Sequence, residues 1–178
     1  FSDFVCAQNN FIQTPKGIEQ ESYWLNELKD IDSSLDLPID KKRPTEINAT
    51  TGYFNRFLPS SFTAKFNDFA AENNLSLFGL YISVYHLLLF KYTKQSDILV
   101  STPTGGRGGD FEGVFGYFTN PIISRSNVDE NQPVKDFIVQ MNTKIKTAIS
   151  NQDFPLSRIS EKLKLKRETN KASLFQTS

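Results

Sequence analysis

Apolar positions along the chain recur with a helical period in some stretches and alternate in others. Ile18, Trp24, Leu25 and Leu28 sit at helical spacing beside Glu19, Glu21 and Glu27, which predicts an amphipathic helix. Residues 35–44 carry Pro38 and Pro44 among mixed charges and are expected as an extended connector. Residues 50–58 alternate loosely, with Tyr53, Asn55 and Phe57 opposite Phe54, Arg56 and Leu58, and are expected as a strand. Pro59-Ser60-Ser61 opens a helix with a serine hydroxyl as its expected cap, and Phe62, Phe66, Phe69 and Ala70 as its buried stripe. Asn73-Asn74 ends it. Ser76 is the expected cap of the next helix, whose Leu77, Leu80, Tyr81, Val84, Leu87 and Leu88 nearly encircle it and predict burial all round.

Residues 97–101 form a short strand expected to be buried on both faces, and residues 122–128 suggest another. Between them lie a glycine-rich loop, 102–110, and an aromatic, glycine-spaced stretch, 111–117. Pro133 is expected in the first turn of a helix striped by Val134, Phe137, Ile138, Met141, Ile145 and Ala148. A shorter helix runs from Leu156 to about residue 164. Strands mixed with helices, and no internal repeat, predict an α/β or α+β lobe.

Composition narrows this little. The 178 residues include 16 Phe and 6 Tyr, enough aromatic surface for a core. Lys+Arg and Asp+Glu balance at 20 each, so charge compels neither a nucleic-acid nor a membrane partner. The single cysteine, Cys6, rules out an internal disulfide. No signal-peptide pattern or long apolar span is present, so the cytoplasm is the expected compartment.

Candidate chemistry is sparse. The one histidine, His86, lies among Tyr85, Leu87 and Leu88 and is expected in the core with one nitrogen satisfied. No Gly-x-Ser-x-Gly and no Cys/His cluster occurs, so neither a hydrolase elbow nor a metal site is expected. The loop Gly105-Gly106-Arg107-Gly108-Gly109 lacks the ending of a P-loop and the spacing of a dinucleotide fingerprint, and is expected as a mobile functional loop. The basic run 162–167 is a solvated face or a docking surface for an acidic partner.

Short segments taken in order carry a resemblance. Phe1-Ser2-Asp3-Phe4 before Gln8; Tyr23-Trp24 with Leu28, Leu37-Pro38-Ile39-Asp40 and Arg43-Pro44; Thr102-Pro103 with Gly106-Arg107; Phe115-Gly116-Tyr117-Phe118-Thr119-Asn120 with Arg125; Asn151-Gln152-Asp153-Phe154-Pro155-Leu156; and Arg167 with Ser173-Leu174-Phe175-Gln176 follow one another. Together they resemble the condensation domains of nonribosomal peptide synthetases. Glu168 and Lys171 stand where the closing motif of that family has Asp and a second Arg, and lysine cannot make arginine's planar double hydrogen bond. The family's His-His-x-x-x-Asp-Gly motif is absent, and belongs before the first matched segment.

The resemblance implies a chloramphenicol acetyltransferase-like fold, an α/β two-layer sandwich with a mixed sheet, of which this chain is most of the second lobe. Its expected parts are an opening helix and connector (1–44), a strand-helix-helix-strand unit (45–103), a floor and crossing loop (104–125), and closing helices with the final motif (126–178). It also implies amide formation between two carrier-bound thioesters, with the substrates on phosphopantetheine arms and no cofactor bound directly. Implied partners are the first lobe, two carrier proteins and an adenylation domain. No catalytic residue is expected in the chain, and alone it is expected to be inactive. Gly116, Tyr117, Phe118 and Asn120 resemble the tunnel floor. Asn120 is either a donor near the reacting carbonyl or a turn residue before Pro121. Arg107 either pairs with a carboxylate of the first lobe or is solvated. Gln152 and Asp153 are expected to bond backbone where a helix starts, and Arg167 belongs to the closing motif. Alternatives are a heterocyclising, epimerising or ester-forming relative, or a non-catalytic lobe that docks carrier proteins.

Overall fold

The computed structural model describes residues 1–31, 34–41, 52–163 and 177–178. Arg43, Pro44, the start of the strand expected at 50–58, and the closing motif with Arg167 lie outside them.

The chain opens with two helices where one is expected. α1 (Ser2–Phe11) precedes α2 (Pro15–Glu27). The join is set locally. The Thr14 hydroxyl accepts from the Gly17 amide at 3.1 Å, and Pro15 takes the first helical turn, where its missing N–H costs nothing. On α2 the Trp24 and Leu28 side chains are buried as the spacing predicts. Ile18 is instead 53% exposed, and the polar Gln20 occupies the inner face.

Residues 52–59 form no strand, and Tyr53, Phe54 and Phe57 are each nearly 90% exposed. Both sides of the alternation carry aromatics, so neither is singled out for burial, and no ladder partner lies beside them among the described residues. α3 (Ser60–Glu72) starts where expected, but Pro59 holds the cap position and no serine hydroxyl caps it. Of its expected stripe only Ala70 is fully buried, and Phe62 is exposed. α4 (Leu77–Thr93) does use Ser76, whose hydroxyl accepts from the Gly79 amide at 3.0 Å. Leu80, Ile82, His86 and Leu89 are buried, while Leu77, Tyr81, Val84 and Leu88 lie exposed. Burial all round is therefore not met among the described residues, where the elements packed against α4 leave part of its surface uncovered.

β1 (Asp97–Thr104) pairs antiparallel with β2 (Asn120–Asn127) in the register Leu99↔Arg125, Val100↔Ser124 and Ser101↔Ile123. Ile98, Leu99, Val100 and Ser101 are all buried, so β1 is covered on both faces as expected. α5 (Val134–Ser150) follows, with Pro133 one position before the helix and Val134 exposed. Its Phe137, Ile138, Met141, Ile145 and Ala148 are buried. α6 (Leu156–Lys162) closes the described core.

Alternation along β1 sends Ile98 and Val100 to one face, where Ile82 and Leu89 of α4 and Ile145 of α5 meet them. Leu99 and Ile123 join Trp24 and Leu28 of α2 with Leu156 and Ile159 of α6. The fold class is the expected α/β lobe. Among the described residues the sheet is the antiparallel pair β1 and β2, with helices packed on both of its faces. On the other edge of β1 the Ser101 amide donates to the Thr177 carbonyl at 3.0 Å. Among the described residues no single helix is long and apolar enough to cross a membrane.

Candidate functional site

The first residue of β2, Asn120, reaches the turn between α5 and α6. Its Nδ2 donates to the carbonyls of Gln152 at 2.6 Å and Phe154 at 2.8 Å, and its Oδ1 accepts from the Leu156 amide at 3.2 Å. Its own carbonyl accepts from the Thr104 hydroxyl at 2.6 Å, which fixes Asn120 to the end of β1. α2 grips the same turn from behind. Gln20 Nε2 donates to the Ser150 carbonyl at 3.2 Å and to Asp153 Oδ2 at 3.1 Å, and Gln20 Oε1 accepts from the Phe154 amide at 2.9 Å. Trp24 Nε1 donates to the Asn151 carbonyl at 2.8 Å. Buried backbone groups need partners, and here side chains from two distant elements supply them.

In front of this turn lies a cleft of about 400 Å³ lined by Phe4, Phe111, Phe118, Asn120, Gln152 and Asp153, among others. Its aromatic wall is a cluster in which Phe118 meets Phe4 at 4.7 Å and Phe1 at 5.5 Å between ring centroids. The Arg107 guanidinium lies 4.2 Å from the Phe118 centroid. It also donates to the carbonyl of Phe111 at 3.3 Å and to that of Val114, folding the glycine-rich loop onto the ring. Gly106 makes the crossing possible. It has φ +59°, and a Cβ there would lie 1.9 Å from the Phe118 carbonyl oxygen.

The structure thus brings Phe118, Asn120, Gln152 and Asp153 to one cleft. Tyr117 points away, 76% exposed, and Gly116 packs against the Phe1 ring, which a Cβ would meet at 2.2 Å. The Asp153 carboxylate faces Gln20 and Lys16, the latter at 3.5 Å, and no side chain caps α6 locally. Gln152 offers its carbonyl to Asn120. In the basic run, Lys162 pairs with Glu21, and residues 164–167 lie outside the described ones. Sequence reasoning passes over Gln20, and it quotes Phe4 in a family segment without placing it at the cleft. A polar residue on the inner face of α2 was the available signal for the first, and the i, i+3/i+4 spacing of Phe1, Phe4, Gln8 and Phe11 for the second.

Arg125, next to the cleft strand's buried centre, joins three elements. Its Nε and Nη2 meet Asp97 at 2.8 and 2.7 Å, and Nη1 donates at 2.8 Å to the carbonyls of Glu27 and Lys29 at the end of α2.

His86 is fully buried and uses both nitrogens, one more than expected. Nε2 meets Ser124 Oγ at 2.7 Å and Nδ1 meets Ser126 Oγ at 2.8 Å. Burial, with Lys144 adding repulsion, lowers its pKa to about 4. The unfolded chain, with an ordinary imidazole, binds a proton first as pH falls below about 6.5. Stability is therefore complete above that pH and lost progressively toward pH 4. Between pH 7 and pH 5 the unfolding free energy drops by about 2 kcal/mol from this group, and His86→Gln flattens that slope. Urea melts at the two pH values check it, and an equal slope in both proteins would refute it.

Solved structures place this architecture first in a fold class. A four-domain nonribosomal peptide synthetase bound to AMP and glycine matches with a TM-score of 0.85 over 89% of this chain and 12% of that one, at 24% identity. The X-domain from teicoplanin biosynthesis matches with a TM-score of 0.84 over 97% and 38%, at 20% identity. The fold is that of the chloramphenicol acetyltransferase-like condensation domains.

The family model for the condensation domain matches residues 1–178, and the chain belongs to that family. Tyrocidine synthase 3 of Brevibacillus parabrevis is 32% identical over 99% of the chain, and bacitracin synthase 3 of Bacillus licheniformis is 33% identical over 99%. The chain spans 3% of the length of each of these synthases.

Proposed function

We propose that the chain supplies one wall of the site at which a condensation domain joins a carrier-bound acyl or peptidyl thioester to a carrier-bound aminoacyl thioester. The observation that carries this reading is the cleft itself. Residues from three separate motifs of the condensation family, Phe118 and Asn120, Gln152 and Asp153, and Phe4, line it together.

In this reaction the acceptor amine attacks the thioester carbonyl carbon. A C–N bond forms, the C–S bond breaks, and the proton lost by nitrogen ends on the departing thiol of the donor arm. Amine attack on a thioester is intrinsically favourable, so holding the reactants together can supply about 7–11 kcal/mol of the barrier reduction. Walls that position the arms then matter even when they carry no base. His86 does not fit that role, since it is buried and both its nitrogens are bonded to serines. The proton-handling group is assigned to the first lobe, whose His-His-x-x-x-Asp-Gly motif the family resemblance implies. Substrates come on the phosphopantetheine arms of two carrier proteins, beside an adenylation domain, in the cytoplasm. No cofactor binds the wall directly.

The test uses the intact protein together with two loaded carrier proteins, with products read by mass spectrometry. An amide-linked product on the downstream carrier is expected, and none from the 178-residue chain alone. Amide from the chain alone would overturn the two-lobe reading. An ester, a heterocycle or an epimerised but unjoined substrate from the intact protein would overturn amide formation in favour of a relative with other chemistry.

A further inference from the structure

We propose that Asn120 is a positioning residue of the amide-forming site, acting through the α5–α6 turn and not through a contact with substrate; this rests on the reading above. A primary amide has two N–H donors and one oxygen with room for two bonds. In Asn120 both donors are used, on the carbonyls of Gln152 and Phe154, and the oxygen already accepts from Leu156. Donation from Asn120 to a reacting carbonyl would require one of these two donor bonds to be given up. Pro155, the residue before α6, provides no side-chain cap. The Leu156 amide is among the first-turn amides that a helix cannot satisfy internally. Asn120 caps it from 36 residues away.

The grip is two-sided. Phe154 offers its carbonyl to Asn120 and its amide to Gln20, so one residue is held between β2 and α2. Gln20 is buried and stands behind the turn, while Asn120, Gln152 and Asp153 line the cleft in front. Release of either amide lets the same backbone shift, and a displacement of one wall is enough to spoil an alignment-driven reaction. The effects of Asn120 and Gln20 on turnover are therefore expected to overlap, because both act on one object. A residue that touched the substrate would act independently of Gln20.

The experiment is a double-mutant cycle in the intact protein with two loaded carriers, run well below the melting temperature of the weakest variant. Asn120→Ala and Gln20→Ala are each expected to lower kcat about tenfold, with KM for the aminoacyl carrier changed less than about twofold. The double variant is expected to match the worse single one, because effects of contacting residues do not add. A double variant about a hundredfold down, or Asn120→Ala with wild-type kcat, would overturn the positioning role. So would a change confined to KM. If the unaltered protein makes no amide, the functional reading fails by itself. Urea melts of the same variants then decide the remainder: overlapping losses of stability uphold the shared grip, and additive losses refute it.

Discussion

Trp24→Ala lowers the unfolding free energy by about 4 kcal/mol, the largest loss expected from a single truncation among the described residues. The Trp24 side chain is 1% exposed and lies in the cluster formed by Leu28, Leu99, Ile123, Phe154, Leu156 and Ile159. Its removal leaves a cavity where α2, the sheet and α6 meet, and takes the donor from the Asn151 carbonyl. A typical domain is stable by about 5–15 kcal/mol, so the loss is a large share of the whole. Trp24→Phe keeps most of the ring volume and is expected to cost about half as much. Urea melts followed by far-UV circular dichroism measure both, since Trp24 is the only tryptophan and fluorescence vanishes with it. A loss below about 1 kcal/mol for Trp24→Ala would show that the corner collapses without it.

Gly106→Ala is the second large effect, and it is local. The residue sits at φ +59°, where an alanine costs about 1–2 kcal/mol. More important, the added Cβ would meet the Phe118 carbonyl oxygen at 1.9 Å, and no side-chain rotation relieves a clash between two atoms fixed to backbone. The crossing must open, the guanidinium of Arg107 leaves the Phe118 ring, and the aromatic wall of the cleft shifts. Stability is expected to fall by about 2–3 kcal/mol and, under the proposed function, turnover by the intact protein to fall tenfold or more. Gly108→Ala is the control in the same loop. A Cβ there meets nothing within 4 Å, so its effect should stay within about 0.5 kcal/mol. Equal responses of the two variants in calorimetry and turnover would contradict this account of Gly106.

The reach of sequence reasoning differs sharply between elements. α4, α5 and β1 were legible because their signals are local: a period of apolar residues, a serine one position before a helix, and an apolar run bounded by polar residues. The motif residues were legible as a set, since the condensation family carries them in one order. α1 is hidden because Phe1, Phe4 and Gln8 stand out as a family segment, and their helical period with Phe11 is short. The strand at 50–58 is expected from alternation, yet alternation is only a permission; with no ladder partner among the described residues, 52–59 form no strand and stay exposed. The exposed Leu77, Tyr81, Val84 and Leu88 show the same limit for α4. Hydrophobicity states that a face prefers cover, and other elements decide whether cover arrives.

What the amino-acid order by itself determined is the set of local segments and the family to which they belong, because helix periods, caps and ordered motifs act within a few residues of each other. What only the tertiary structure decided is the partnership of Asn120 with Gln20 across the Phe154 peptide, and of Arg107 with the Phe118 ring. An amide or a guanidinium carries several donors and no address; which carbonyls it meets depends on elements that the fold brings together from far along the chain.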